Sequence, residues 1–277
     1  MITSSLVLGT LGFPDYATEG WSFKTLTDWW GQTEDKAERT ERPQGHGAFA
    51  PSRSLRASRA ISIEVNYLGR SQADVEDAFD TLSAIGADGP VLMTVNTPAG
   101  SSWRIVTVEK VTPLNHKGGA RRGFAAIDLI AHDPRRYRSG EWLSTPPPSP
   151  GQGRTWPSVR PLIWPGGGSS GRVELVNDGK APSAPVFRLG GAFASALITC
   201  VDTGARVGLD RPVPAGSFVE IDFNTRRAML DGLSDVSRWL RFREWTEVPG
   251  RMSRTYQFDA TEPVGAVMQG MVNHAWW

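Results

Sequence analysis

Residues 144–171 open with Ser-Thr-Pro-Pro-Pro-Ser-Pro-Gly-Gln-Gly and close with Trp164-Pro165-Gly166-Gly167-Gly168-Ser169-Ser170-Gly171. Proline removes a backbone donor and fixes φ, while glycine leaves the backbone free, so neither a regular helix nor a central strand can run through this stretch. It reads as a linker that divides the chain into residues 1–143 and 172–277. Trp156, Leu162, Ile163 and Trp164 inside it are apolar, so part of it is expected to lie on a neighbouring surface. A chain of 277 residues with 39% hydrophobic content has material for two cores.

Upstream of this segment, Ile61-Ser62-Ile63-Glu64-Val65-Asn66-Tyr67 alternates apolar and polar residues, the period of a strand with one buried face. Residues 91–95, 103–108 and 124–130 are further strands by the same reasoning. A helix is expected between the first two. Ser71 can cap it with Asp74 three residues on, and Asp74, Glu76, Asp77 and Asp80 lie toward its positive end. Val75, Ala78, Phe79, Leu82 and Ile85 share one face. Burying the larger of these would contribute roughly 1.5–3 kcal/mol each. Gly86 supplies the stop. Residues 31–60 are polar and rich in Gly and Arg, too long for an ordinary loop, and read as an interface arm or a long hairpin loop.

Past residue 171, short strands follow one another with turn residues between them: 173–176, 186–189, 196–199, 206–209, 218–222 and 227–230. Asn177-Asp178-Gly179 and Asp231-Gly232 mark turns. Strands this short and this many indicate a β-sandwich.

Thirty Lys and Arg stand against 29 Asp and Glu, so no excess of positive charge advertises nucleic acid or an anionic membrane as a partner. Cys200, the single cysteine, lies in an apolar run and reads as a small buried hydrophobe. No stretch approaches the roughly 18 apolar residues of a membrane span, and Met1-Ile2-Thr3-Ser4 lacks a basic start; the chain is expected to be soluble and made in the cytoplasm.

His46, His116, His132 and His274 include no pair at metal-ligand spacing on one element. No nucleophile elbow, P-loop or dinucleotide fingerprint precedes a helix. No catalytic residue, metal or cofactor is therefore expected. Counting Asp and Glu does not by itself exclude a glycosidase, but the helix acids Asp74, Asp77 and Asp80 read more simply as a solvated face. Trp29-Trp30 and Trp276-Trp277 offer aromatic area to a sugar, to a neighbouring subunit or to their own domain.

An ordered set of motifs in the second half carries a family resemblance. A strand ends in Asn177-Asp178-Gly179, Pro182 and Pro185 stiffen the return, and the next strand closes on Gly190. A hairpin follows through residues 219–222 and 226–232, then Trp245 and a closing Pro249-Gly250. Asp133-Pro134-Arg135-Arg136-Tyr137 stands at the end of the first half. This series resembles the distal tail proteins (Dit-like minor tail proteins) of long non-contractile-tailed phages, or siphoviruses. Where that family usually carries an asparagine after the Pro-Gly, this chain has Arg251-Met252-Ser253.

The resemblance implies a mainly β protein, with an N-terminal ring-forming β domain containing one helix and a C-terminal galectin-like β-sandwich. It implies a structural, non-enzymatic role in the virion: a hexameric ring at the tail tip, made in the bacterial host, joining the tail tube to tail-tip or baseplate proteins. The implied partners are further copies of the chain, the tail tube protein, the tail-tip hub or baseplate proteins and the tape measure protein, with genomic DNA only in passage. A near-neutral chain suits a conduit that should not grip phosphates. Interface work is assigned to Trp29, Trp30, Phe49, Arg53 and Arg56 in and beside the irregular arm. The alternative is a carbohydrate-binding module that attaches the tail tip to host-surface glycan, for which the sandwich architecture is the only warrant.

Overall fold

The structure, a computed structural model, describes residues 4–36, 40–49, 55–115, 121–151 and 168–277. It divides the chain into two compact units, Met1–Arg138 with Trp277, and Ser139–Trp276. Both are built mainly from antiparallel strands, as expected.

The first unit contains β1 (Ser5–Leu8), β2 (Leu11–Pro14), β3 (Gly20–Thr27), β4 (Arg59–Leu68), helix α1 (Gln72–Ala84), β5 (Val91–Thr97), β6 (Gly100–Asn115), β7 (Arg122–Ala131) and β8 (Arg136–Arg138). Seven of these strands form one sheet in the order β2-β1-β5-β6-β7-β4-β3, and β8 pairs with β6 through Trp103 and Tyr137. Strand β6 bends to serve two neighbours: its first half pairs with β5, and its second half, interrupted by register shifts at Val108/Lys110 and Pro113/Asn115, pairs with β7. The sheet curls far enough that Phe13 on one end strand lies 5.8 Å, ring to ring, from Trp21 on the other. Inside the curl, Ile61, Ile63 and Val65 of β4 face Leu129, Ile127 and Ala125 of β7, all buried. The expected strands are the centre of this sheet. Strands β1 to β3 are not among those expected from the sequence, because Gly12, Pro14 and Gly20 interrupt the pattern.

Helix α1 forms where the capping residues direct it. Ser71 Oγ accepts from the Asp74 N–H at 3.2 Å and Asp74 Oδ2 accepts from the Ser71 N–H at 3.2 Å, closing a capping box. Val75, Ala78 and Leu82 are buried against the sheet, and Phe79 meets Trp21 edge-on at 5.9 Å. The helix stops at Ala84, followed by Gly86 at φ +73, a conformation open to glycine at little cost.

The second unit contains β9 (Leu143–Thr145), β10 (Arg172–Asn177), β11 (Pro185–Ala192), β12 (Ser195–Cys200), β13 (Arg206–Leu209), β14 (Phe218–Asp222), β15 (Arg227–Leu230), β16 (Ser234–Asp235), β17 (Leu240–Arg241), β18 (Met252–Thr261), β19 (Val264–Val272) and β20 (His274–Trp276). Two sheets, β10-β18-β12-β13-β17 and β16-β15-β14-β11-β19-β9, enclose one core. Ile198, Cys200, Val207, Tyr256 and Phe258 come from the first sheet, and Phe187, Leu189, Val219, Ile221 and Met268 from the second. This is a β-sandwich, and Cys200 is buried in it. Strands β18 and β19 lie inside the sheets rather than at their edges, yet 252–272 was not anticipated as strand. Arg254, Gln257, Asp259 and two glycines dilute a real alternation of Tyr256 with Phe258 and of Ala266 with Met268.

The division between the units falls at Arg138/Ser139, ahead of residue 144. Strand β9 pairs with β19, and Ser149 and Ser169 exchange backbone hydrogen bonds at 3.0 and 3.2 Å, so the described ends of the proline-rich segment are held by the second unit. Trp156, Leu162, Ile163 and Trp164 lie outside the described residues.

Candidate functional site

Within residues 31–60, where an interface arm or long hairpin loop is expected, the described stretches pair in two places. Residues 34–36 run beside 55–57, with a bridge between Asp35 and Arg56, and 40–42 run beside 47–49, with a bridge between Glu41 and Ala48. The root of this arm is formed where β3 ends and Asp28 turns the chain with φ +61.

Two arginines from the sheet hold that root. Arg59 begins β4 in phase with the buried Ile61 and Ile63; its guanidinium donates to the carbonyls of Asp28 at 2.9 Å and Gly31 at 2.8 Å. Arg104 occupies an inward position of β6, opposite Met93, and is 1% exposed. It donates to the Trp29 carbonyl at 2.7 Å and the Pro134 carbonyl at 3.3 Å, with its guanidinium carbon 4.4 Å from the Trp29 ring centre. Burial pushes the Arg104 pKa down to about 9, Arg59 and Arg136 add repulsion, and Asp133 opposes them. At neutral pH it stays charged, so its contacts are charge-assisted.

Asp133 fixes the end of the first unit. It accepts from Arg135 Nε at 3.0 Å, Arg135 Nη2 at 2.9 Å, the Arg135 N–H at 3.0 Å and the Tyr137 hydroxyl at 2.6 Å. Burial alone would raise its pKa, but the bonds from Arg135 and Tyr137 outweigh burial and hold it below the ordinary aspartate value. Tyr137 in turn stacks on Trp103 at 5.0 Å.

In the second unit the motif residues converge on one side chain. Asn177 is fully buried: its amide donates to the carbonyls of Ala181 at 2.8 Å and Val248 at 3.0 Å, and its oxygen accepts from the N–H groups of Gly179 at 2.9 Å and Ala275 at 3.2 Å. A Cβ on Gly179 would stand 1.9 Å from the Ala275 carbonyl oxygen, and one on Gly250 would stand 2.6 Å from the Lys180 carbonyl carbon. The Asn-x-Gly and Pro-Gly motifs are thus two sides of one backbone crossing. Arg251 keeps the last turn attached through its N–H, 2.8 Å from the Asn177 carbonyl.

Four of the five residues assigned to the interface can be located. Trp29 is 0% exposed and packs within its own unit, so its ring presents no area to a partner. Trp30 is 51% exposed and Phe49 56%, the latter near the arm's far end with the Arg42 guanidinium 5.6 Å from its ring centre. Arg56 donates to the Thr33 carbonyl at 3.1 Å across the arm. Arg53 lies outside the described residues, as does His116. Sequence reading missed Arg59 and Arg104, although both stand in phase with inward-facing apolar residues, the signal that could have exposed them. It also missed Leu92 and Ile105, half-exposed cross-strand partners on the outer face of the same sheet.

Among the described residues, no group of three or more His, Cys, Asp or Glu is arranged to hold a metal ion, and no helix is long and apolar enough to cross a membrane.

Compared with solved structures, the chain is similar along its whole length to the SPP1 Dit (gp 19.1) protein, a hub of the adsorption apparatus in phages infecting Gram-positive bacteria. The TM-score is 0.66 at 11% identity, over 99% of this chain and 99% of that one. The chain has the Dit fold. A component of the phage P2 baseplate in its activated conformation with Ca shares the Dit fold at a TM-score of 0.58 and 10% identity, over 99% of this chain and 98% of that one. The same baseplate with Sr gives a TM-score of 0.54 at 10% identity, over 98% and 97% of the two chains. No protein-family model and no curated sequence matches.

Proposed function

We infer that this chain is a structural component of a phage tail tip, a distal tail protein whose copies close into a hexameric ring. The ring would join the tail tube to the hub or baseplate proteins, contact the tape measure protein and leave a lumen for DNA. The observation that carries this reading is end-to-end likeness to a Dit protein over both units. In this reading the first unit forms the ring and the second, a galectin-like sandwich, projects from it. The role is non-enzymatic and the location is the virion tail tip. Each copy would place its arm, with Trp30 and Phe49, on the neighbouring copy, and the outer sheet face around Leu92 and Ile105 supplies apolar area for such a head-to-tail contact. A net charge of +1 suits a lumen through which DNA must slide.

Mass photometry of the purified chain, followed by negative-stain imaging, tests the reading. Six-fold rings with a central hole are the expected result. A monomer at every concentration, alone and with the tail tube protein, would overturn ring formation.

A further inference from the structure

On the outer face of the five-stranded sheet of the second unit lies a cleft of about 390 Å³. Its floor is low because Gly208 occupies the middle of β13: a Cβ there would meet Phe242 Cδ2 at 3.3 Å and Leu197 Cδ1 at 3.5 Å. Phe242 forms one wall. It is 54% exposed, and the Arg206 guanidinium lies 4.5 Å from its ring centre. Phe242 and Arg243 both take left-handed backbone, φ +65 and +46, which non-glycine residues adopt only when their surroundings impose it. The Arg243 N–H donates to the Arg241 carbonyl at 2.8 Å, and the tight turn centred on Phe242 sets its ring over Gly208, half in water beside the cleft.

The rest of the lining is polar and balanced in charge. Asp210 and Arg241 form an ion pair across the rim, Asp259 faces the same space from β18, and the Ser195 hydroxyl bonds to that of Thr261 at 3.0 Å. Two carboxylates, one lining arginine and the Arg206 cation over the Phe242 ring leave no net charge to select an ion. Together they offer carboxylate acceptors and a planar donor fork. An aromatic face beside such groups suits a ligand with one C–H face and many hydroxyls.

We propose that this cleft binds an uncharged saccharide, with Phe242 stacking on the sugar's C–H face and Asp210, Arg241 and Asp259 holding its hydroxyls. The site belongs to the second unit alone and does not depend on ring formation.

Saturation-transfer NMR on the full chain tests it, with methyl glycosides of glucose, galactose, N-acetylglucosamine and rhamnose as probes and glucuronate as the charged control. At least one neutral probe should respond, with an affinity on the order of 1 mM for so open a cleft. Phe242→Gly, which suits the left-handed backbone, should keep the melting temperature while weakening binding about tenfold or more. Asp259→Ala, which removes one acceptor of the lining and leaves the ring in place, should weaken binding as well. Phe218→Ala on the other sheet should bind as the parent does. Silence from every neutral probe, a response to glucuronate alone, or binding unchanged in both cleft variants would overturn the proposal, whether or not rings form.

Discussion

Arg104 stacks its guanidinium over the Trp29 ring at 4.4 Å and donates a 2.7 Å hydrogen bond to the same residue's carbonyl, across 75 positions of sequence. A buried cation is costly, and here its position among backbone carbonyls and an indole face offsets that cost. The root of the arm is thereby tied to the middle of the sheet.

Replacing Arg104 by Met should lower the stability of the first unit by about 1–3 kcal/mol, because the Trp29 and Pro134 carbonyls lose a buried donor. Arg104→Lys should rescue little, since one ammonium does not reproduce a planar fork. Urea unfolding followed by tryptophan fluorescence reads both.

The Asp133 carboxylate should make part of the first unit's stability pH-dependent. Its pKa is lower folded than unfolded, so its contribution is present above the unfolded value of about 4 and is lost as pH falls through the folded one. The advantage of the parent chain over Asp133→Asn, about 1 kcal/mol at neutral pH for a partly exposed pair, should shrink below pH of about 4. Paired urea titrations across that range measure it.

Asn177→Ala should destabilise the second unit by at least about 3 kcal/mol, since four buried backbone groups lose their partner together. Asn177→Asp should not restore it, because a carboxylate cannot donate to the Ala181 and Val248 carbonyls. Thermal unfolding of the variants decides this.

The arm variants should separate assembly from folding. Trp30→Ser with Phe49→Ser, and separately Ile105→Lys, should change stability by no more than about 0.5 kcal/mol, because these side chains are exposed. All should reduce ring formation in mass photometry, and assembly at parental level would remove these side chains from the interface.

Local patterns determined much of this protein. A period of two placed four strands, because alternation reports a single buried face; turn residues marked off six more, and Ser71 with Asp74 placed the helix start, because a cap acts within one turn. Turn residues and an ordered set of motifs were enough to suggest the Dit fold. Tertiary structure decided what depends on distant partners. Trp29 is buried and Trp30 exposed because Arg59 and Arg104, remote in sequence, grip the backbone between them. Asn177, Gly179 and Pro249-Gly250 form one crossing only once β10 and β18 have paired. Phe242 takes left-handed backbone in a turn closed by the Arg243 N–H on the Arg241 carbonyl, a conformation that no preference of phenylalanine announces in the sequence. Short-range sterics and periodicity can be read along a chain; burial and strain depend on which surfaces meet, and that is settled when the sheets close.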